Sequence, residues 1–268
     1  MSTHSHQHTD SPKDQTLDRT VHSLDNRPIK LALYGGSGRM GKQVQDLLHD
    51  QPQWELTLLC NRNEVLVYPN SKQPKGYPLS QLSTHLNQCD VLLDFSQASA
   101  FPTLLDHLKD HPLLPCVSGV TGLDQELLDR FQSRSLYAPT FYAPNFSIGV
   151  ALTQKLAQLT AQWLGGEYDV EIYELHHRYK KDAPSGTALA LGQSVKEGYE
   201  ATTLQISAGR GGHVIGDHHI HFLGDADRIE ITHRALDRSL FARGALKASQ
   251  WLLNQPPGWY TVHDLWNH

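Results

Sequence analysis

A compact set of side chains that can move protons lies between Glu174 and Ala188, where the chain reads ELHHRYKKDAPSGTA. His176 and His177 are adjacent, and Lys180 follows three residues after the second histidine. A histidine titrates near neutral pH and can give up a proton, and a lysine adds a full positive charge. These residue types indicate a site for a small carboxylate that must be protonated.

A helix predicted directly after this set would add an anion-binding end. Ser185 is the predicted N-cap of a helix that includes Ala188–Leu191, because serine is a preferred residue at that position. The free N–H groups of Gly186 and Thr187 would lie at the positive end of the helix dipole and bind carboxylate or phosphate oxygens. Gly186 would also let a ligand approach the backbone closely.

The histidines have a purely structural alternative. A strand is predicted from Tyr168 to Leu175, and histidines at the end of a strand can simply bond to backbone groups. We favour a site, because a lysine, a glycine and a predicted helix N-terminus all follow His176 within a short stretch of chain.

A glycine-rich turn near the start of the chain predicts dinucleotide binding. The apolar strand Ile29–Tyr34 precedes the turn, and residues with helical spacing follow it. Strand, glycine turn and helix form the context in which Gly-x-Gly-x-x-Gly admits a pyrophosphate to a helix N-terminus. The predicted cofactor loop consists of Gly35, Gly36, Ser37, Gly38, Arg39, Met40 and Gly41.

The end of the second predicted strand, Glu55–Leu59, bears on cofactor choice. NAD-specific folds usually place an acid there to bond the ribose hydroxyls. Asn61 and Arg62 stand there instead, which favours NADPH, with Arg62 meeting the 2′-phosphate. The alternative is a solvated surface arginine, and the spacing leaves both open.

Alternating strands and helices indicate an α/β fold with an N-terminal Rossmann-like, doubly wound parallel sheet. Ligands of such sheets bind beyond the carboxyl ends of the strands, where Gly119 and Asn145 fall. Residues 63–78 are predicted to be a polar loop. The helix Ile148–Leu164 has an apolar stripe that we expect to pack in the core. The stripe consists of Leu152, Leu156, Leu159 and Trp163.

The pattern after residue 168 predicts an antiparallel or mixed sheet, and so a C-terminal α+β domain for substrate binding and oligomerisation. Its further predicted strands are Leu204–Ala208, Val214–Phe222 and Arg228–Arg234. The expected organisation is a disordered tail over 1–27, a dinucleotide-binding domain over 28–147 completed by about 241–268, and a substrate-binding and tetramerisation domain over 148–240.

Composition limits the partners. Of the 268 residues, 39% are hydrophobic, and the net charge of −5 gives no basic excess for nucleic acid. No apolar run approaches the length that spans a bilayer, so no membrane partner is expected. Three widely spaced cysteines fit a reducing cytoplasm. No metal is expected, because His219 and His221 share a strand face but have no third ligand at a suitable spacing.

These motifs resemble one enzyme family. The pattern E-x-H-x-x-x-K-x-D-x-P-S-G-T-A over 174–188 resembles the signature of the 4-hydroxy-tetrahydrodipicolinate reductases, also called dihydrodipicolinate reductases, at every fixed position. G-x-x-G-R-M-G over 35–41 resembles their cofactor loop. GVTG over 119–122, APNFS over 143–147, EITH over 230–233 and FA-x-GA over 241–245 resemble further blocks, so the resemblance covers nearly everything from Ile29 onward.

The resemblance implies a homotetramer, assembled through the sheet of the substrate domain, that acts in lysine and diaminopimelate biosynthesis. The implied reaction is hydride transfer from NADPH to a small dicarboxylate imine, which forms as 4-hydroxy-tetrahydrodipicolinate loses water, to give tetrahydrodipicolinate; use of NADH is left open. His176 would be the proton donor and Lys180 its catalytic partner. The implied substrate-binding residues are His177, Lys180, Gly186 and Thr187. The implied cofactor-binding residues are Gly35, Gly36, Ser37, Gly38, Arg39, Met40, Asn61, Arg62, Gly119, Val120, Thr121, Ala143, Pro144, Asn145 and Phe146.

The chain departs from the family pattern at two positions. Tyr179 stands where some members have a third histidine, which would alter a substrate hydrogen bond. Asn61 replaces the acid that lets other members use NADH well, which disfavours dual cofactor use. Two other functions stay open: a different two-domain NAD(P)H oxidoreductase, and a catalytically silent NAD(P)H-binding regulator. The presence of both His176 and Lys180 disfavours the regulator.

Overall fold

The computed structural model describes residues 27–69, 73–200 and 203–266, so the predicted tail lies outside the described residues except for its last position. No helix among these residues is long and apolar enough to cross a membrane. The strands are β1 Ile29–Tyr34, β2 Trp54–Cys60, β3 Glu64–Val67, β4 Lys75–Pro78, β5 Val91–Asp94, β6 Cys116–Ser118, β7 Pro139–Tyr142, β8 Asp169–His176, β9 Leu204–Arg210, β10 Gly216–Leu223, β11 Arg228–Ala235 and β12 Gly258–Tyr260. The α-helices are α1 Arg39–Leu48, α2 Leu82–Leu86, α3 Phe101–Leu108, α4 Gln125–Ser133, α5 Ile148–Leu164, α6 Gly186–Gly198 and α7 Ser239–Leu252.

The first sheet has the strand order β12-β7-β6-β5-β1-β2-β3-β4 and is parallel from β12 to β2. Its inner strands are apolar on both sides because helices cover both faces. One core contains residues of α1 and α7, and the other contains residues of α2, α3 and α4. The predicted Rossmann-like α/β fold is confirmed.

The prediction of a polar loop over 63–78 is wrong. β3 and β4 form an antiparallel pair there and extend the sheet beyond β2. Val65 and Val67 are buried, whereas Glu64 is exposed. A strand this short at a sheet edge needs only about two apolar residues on its buried face. Among turn-forming neighbours, so short an apolar pattern does not stand out in the sequence.

The C-terminal segment returns to the first sheet. α7 packs against α1 and against strands β5, β6 and β7. β12 then pairs in parallel with β7, with Gly258 opposite Pro139. The chain therefore leaves the first sheet after β7 and comes back to it after β11.

The second sheet has the strand order β11-β10-β8-β9 and is mixed, as the sequence predicts, since β8 and β9 are parallel and the other pairs antiparallel. Helices α5 and α6 pack on one face around Ile172, Leu191 and Phe222. Side chains such as Tyr173, 38% exposed, lie on the other face.

The predicted burial of the α5 stripe is also wrong. The four stripe residues are exposed, with Trp163 87% exposed. The face of α5 that packs inward is made of small residues such as Ala157 and Ala161. A side chain at Gly198 of α6 would collide with the Gln158 carbonyl of α5, so the two helices approach closely through small residues. Hydrophobic periodicity counts large apolar side chains and misses such an interface.

Candidate active site

An open cleft of about 610 Å³ lies beyond the carboxyl ends of β1, β2 and β5. The predicted cofactor residues that line it are Gly35, Ser37, Gly38, Asn61 and Arg62. The other residues of the predicted loop, Gly41 among them, do not line the cleft. Gly36 packs against Leu59, Met40 packs at the edge of the core, and Arg39 is exposed.

The geometry of the glycine turn fits a dinucleotide. Gly35 has φ +83°, a left-handed conformation that favours glycine, and a Cβ there would lie 2.6 Å from the backbone of Phe95 and Ser96. A Cβ at Gly41 would collide with the Gly35 carbonyl. The loop is therefore tightly folded, and Gly38, the N-cap of α1, lines the cleft.

Asn61 and Arg62 reach this cleft from the end of β2. The side-chain oxygen of Asn61 is buried and has no hydrogen-bond partner among the described residues, so it is ready to accept from a ligand hydroxyl. Arg62 is exposed and forms no ion pair with the described residues. These two side chains, with the glycine turn, fit a dinucleotide ribose and its phosphates.

The remaining predicted cofactor residues form two loops after β6 and β7. Phe95 and Phe146 pack edge to face, and a Cβ at Gly119 would lie 2.5 Å from one ring and 2.8 Å from the other. Val120, Ala143 and Phe146 are buried, whereas Pro144 and Thr121 are exposed. The buried members shape these loops by packing, and the lining of the cleft includes Phe95 but no residue of the two loops.

A buried carboxylate lies beneath the same loops. Asp94 at the end of β5 is fully buried and accepts hydrogen bonds from the Ser96 N–H at 2.8 Å and the Ser118 hydroxyl at 3.2 Å. Burial raises the pKa of Asp94 to about 6, although these donors oppose the rise. Ser118 in turn accepts from the Val120 N–H at 3.3 Å, so this group fixes two loop starts together.

The second part of the site lies at the end of β8. Glu174 and His176 point to the same side of the strand, and both are buried. Glu174 Oε2 lies 2.7 Å from His176 Nδ1, and Glu174 Oε1 accepts from Arg210 Nη2 at 3.0 Å and from the Ser185 N–H at 2.9 Å. The carboxylate thus connects the proton-donor candidate to β9 and to the start of α6.

Lys180 lies in the loop that follows, as predicted. Its Nζ is 2.8 Å from an Asp182 carboxylate oxygen, and its side chain is 22% exposed. Arg210 also donates to the backbone carbonyl of Asp182, which ties this loop to β9. Tyr179 is 71% exposed, with its ring centroid 6.4 Å from that of His177.

The first turn of α6 is open, as an anion site requires. The Ser185 hydroxyl accepts from the Ala188 N–H at 3.1 Å, which confirms the predicted N-cap. Gly186 is exposed, and no atom lies within 4 Å of where its Cβ would be. Asn145 Nδ2, from the loop after β7, donates to Thr187 Oγ1 at 3.2 Å. This contact joins the two halves of the predicted site.

The surroundings lower the pKa of both histidines, so each ring favours the neutral form and, when protonated, gives up its proton readily. Burial lowers the pKa of His176 below its ordinary value; Glu174 opposes this, and Lys180 and Arg210 reinforce it. Desolvation lowers the pKa of His177, and the positive charges of Arg238, Lys180 and Arg39 lower it further. Arg39 of the glycine turn and Arg238 beside α7 therefore act on the same space as His177.

One group among the described residues has metal-ligand geometry, and the sequence did not single it out. One ligand atom each from Glu174, His176 and His218 lies within 4.8 Å of the others. Burial lowers the pKa of His218 to about 4, so this ring is neutral. Arg210 already places a positive charge on the same carboxylate, which works against a bound cation.

Sequence reasoning assigned no role to Arg210 and His218. Strand pairing places both residues at the site. The pairing of β9 with β8 puts Arg210 opposite His176, and the pairing of β10 with β8 puts His218 opposite Glu174. Glu174 itself could have been found, since it precedes His176 by two residues and shares its strand face. The other two could not, because register between distant strands is not local information.

A doubly wound sheet with a glycine-turn cleft, next to a second sheet that carries the predicted proton donor, is typical of a nicotinamide-dinucleotide oxidoreductase. The chain belongs to the dihydrodipicolinate reductase family. The family profile described as Dihydrodipicolinate reductase, N-terminus, matches residues 29–146, and the one described as Dihydrodipicolinate reductase, C-terminus, matches residues 149–266. The resemblance seen in the sequence is confirmed.

Individual relatives agree. The chain is 36% identical over 259 residues to the 4-hydroxy-tetrahydrodipicolinate reductase of Campylobacter jejuni subsp. doylei, covering 90% of this chain and 97% of the relative. It is 35% identical over 256 residues to the enzyme of that name from Nitratiruptor sp., covering 88% and 98%. The fold is similar to dipicolinate-bound dihydrodipicolinate reductase from Paenisporosarcina sp. TG-14, with a TM-score of 0.68, 23% identity, and coverage of 87% and 97%.

Proposed function

We propose that this chain reduces 4-hydroxy-tetrahydrodipicolinate to tetrahydrodipicolinate with loss of water, in lysine and diaminopimelate biosynthesis. One contact carries the proposal beyond family membership: Asn145, on the cofactor side, donates to Thr187 at the start of α6. A cofactor along the first sheet and a carboxylate at α6 would therefore be neighbours, as a direct transfer between them requires.

The substrate is a cyclic imine with two carboxylates, and the chain offers two kinds of partner for them. The free N–H groups of Gly186 and Thr187 point out of the first turn of α6. Lys180 supplies a full charge from the loop above. His177 adds a ring N–H among the positive charges of Arg39 and Arg238. Related dihydrodipicolinate reductase from Paenisporosarcina sp. TG-14 binds dipicolinate, a molecule with the same paired carboxylates.

His176 supplies the proton in this proposal. A reduced nicotinamide dinucleotide supplies the hydride when it is bound. Reduction of a conjugated imine leaves negative charge that a proton must neutralise, and a buried histidine with a lowered pKa is a strong enough acid to give one up. Lys180 stabilises the charge that develops before the proton arrives.

The finer parts of the proposal concern cofactor, domains and assembly. NADPH is the preferred cofactor, supported by Arg62 at the cleft and by a neutral Asn61 where an acid would repel a 2′-phosphate. The dinucleotide domain spans 28–147 with about 241–268, and the substrate and tetramerisation domain spans 148–240. Free thiols at all three cysteines support a cytoplasmic location. The free edges of the second sheet support a homotetramer.

A coupled assay tests the activity. The purified chain is given NADPH and a substrate generated in situ from pyruvate and aspartate semialdehyde, and oxidation of NADPH is followed. We expect oxidation that depends on both precursors. Binding of NADPH without any substrate-dependent oxidation would contradict the proposal and favour a silent regulator.

A further inference from the structure

We propose that Glu174 is the positioning residue for His176. We further propose that Arg210, by pairing with the same carboxylate, reduces the effect of the Glu174 charge on the His176 ring. The inference deepens the proposed function, in which His176 is the proton donor, and rests on it. It concerns three side chains on the second sheet: a buried carboxylate between a buried imidazole and a half-buried guanidinium.

The two carboxylate oxygens of Glu174 face different neighbours, and Oε2 also lies 4.0 Å from His218 Nε2. Glu174 is 0% exposed, and its Oε1 is held by Arg210 Nη2 at 3.0 Å and by the Ser185 N–H at 2.9 Å. Its Oε2 lies 2.7 Å from His176 Nδ1. This pair is a close charge contact that lacks the alignment of a hydrogen bond, and neither atom has another hydrogen-bond partner among the described residues. A carboxylate fixed in this way favours a proton on Nδ1 by charge attraction, because it is the acceptor closest to that nitrogen.

With Nδ1 committed to Glu174, the proton exchanged with substrate must leave from Nε2. The residue beside this edge of the ring is Gly216, the first residue of β10. A Cβ at Gly216 would lie only 2.9 Å from Nε2, so the glycine keeps the reacting nitrogen uncovered. The structure thus distinguishes the two nitrogens: Nδ1 lies against the Glu174 carboxylate, and Nε2 lies beside a glycine that has no side chain to cover it.

The negative charge of Glu174 acts on both His176 and Arg210, and the balance between these two interactions sets the acidity of His176. The charged or titratable groups around the ring come from five segments: Glu174 on β8, Lys180 and Asp182 in the loop after it, Arg210 on β9, His218 on β10, and His233 on β11 next to His218. Glu174 and Asp182 favour the protonated ring, whereas Lys180 and Arg210 disfavour it. His218, with its pKa lowered to about 4, stays neutral beside the ring.

Two substitutions on this one carboxylate group should therefore have opposite effects. Glu174→Gln keeps the shape but removes the charge that favours protonated His176. Arg210→Gln removes the charge that competes for the carboxylate. The basic limb of the kcat–pH profile should move to lower pH in E174Q and to higher pH in R210Q, by about 1 pH unit or more for charges at such distances. A purely structural role would not produce opposite shifts.

Two matched variants control for fold and for loss of charge. Arg210→Lys keeps the positive charge and should leave the limb close to its wild-type position. Glu171→Gln removes a carboxylate from β8 on its opposite face, three residues from Glu174, and should not move the limb. In E174Q at pH 7 we expect kcat to fall at least about 10-fold, and by less than the roughly 10²–10⁴-fold range of general acid catalysis itself.

Ring ¹⁵N NMR of the free enzyme separates this inference from the proposed reaction. The His176 signals are assigned by their loss in His176→Asn, and titrated in the wild type, E174Q, R210Q and R210K. We expect neutral His176 to carry its proton on Nδ1 in the wild type, and its titration midpoint to move down in E174Q and up in R210Q. An Nε2-protonated ring, or midpoints that stay in place or move the same way in folded E174Q and R210Q, would overturn the inference whatever the substrate is.

Discussion

His176 combines two opposing influences, and this combination explains why a histidine suits the proposed chemistry. Burial lowers its pKa, which makes the protonated ring a readier donor. The nearby Glu174 carboxylate prevents the ring from losing its proton altogether. Lys180 then places a positive charge in the loop that follows β8, paired with Asp182. A proton donor and a positive charge therefore occupy one short segment.

We expect His176→Ala or Lys180→Ala to lower kcat by about 10²–10⁴-fold, the range typical of lost general acid catalysis. The affinity for NADPH should hardly change, because the glycine turn and Arg62 lie on the other sheet. Steady-state kinetics gives kcat, and equilibrium titration of NADPH gives Kd. Full activity in both variants would remove these residues from the mechanism.

Arg62 gives a prediction on cofactor choice. Hydrogen bonds to a charged group contribute about 1.5–3 kcal/mol, so NADPH should be preferred about ten- to a hundredfold in KM. Arg62→Ala should raise KM for NADPH and leave KM for NADH almost unchanged. Arg130→Ala, at an arginine of α4 that does not line the cleft, is the control. Equal or better use of NADH by the wild type would refute the argument from the end of β2.

Asp94 gives a prediction on stability against pH. Burial raises its folded-state pKa to about 6 from 3.8, so between these values the folded chain binds more protons than the unfolded chain. Stability from this group is then present at low pH and lost as pH rises through about 6. The difference between 3.8 and about 6 corresponds to about 3 kcal/mol at 1.36 kcal/mol per pKa unit.

Asp94→Asn has no carboxylate to titrate, so it does not lose this stability as the pH rises. The difference in free energy of unfolding, variant minus wild type, should therefore increase by up to about 3 kcal/mol from pH 4 to pH 7. Urea unfolding at several pH values measures it. Asp110→Asn, at an exposed position, serves as the control. A difference between D94N and wild type that stays constant over this pH range would contradict the assignment.

At the scale of elements, the sequence predicts what local patterns determine. Apolar runs such as Ile29–Tyr34 mark the inner strands, and Ser185 marks the start of α6. The edge strands β3 and β4 are not predicted, because their apolar pattern is only a few residues long. The buried face of α5 is not predicted, because its contacts are made by alanines. The partners of Glu174 on β9 and β10 depend on strand register, which no local pattern encodes.

α7 and the loop after β7 are fitted to each other at one glycine. A Cβ at Gly244 would collide with the carbonyl of Phe146, a backbone atom in the predicted cofactor loop. Gly244→Ala should therefore displace that loop, lowering Tm by several degrees and weakening NADPH binding. Gly76→Ala, whose new Cβ would make only ordinary contacts of 3.6 Å or more, should leave both nearly unchanged. An unchanged Tm in G244A would contradict this packing.

At the scale of the whole molecule, the second sheet is covered on one side only. Helices α5 and α6 protect one face, and the other has exposed side chains that include Tyr173 and Thr232. Within the described chain, β9 and β11 each pair on one side only, so both have free edges. A second exposed apolar surface is the stripe on α5, where Trp163 is 87% exposed. Either surface could be covered in an assembly.

We expect the sheet to be the assembly surface, since a whole open face with free strand edges offers both contact area and hydrogen bonds, whereas the stripe offers one row of side chains. Light scattering at micromolar protein should report about four times the 30.1 kDa chain mass. Tyr173→Lys should reduce this mass, because it places a charge in the centre of the open face. Trp163→Lys, the matched change on the stripe, should leave the mass unchanged. A stable, active monomer would rule out the tetramer, and dissociation caused by W163K alone would move the interface to α5.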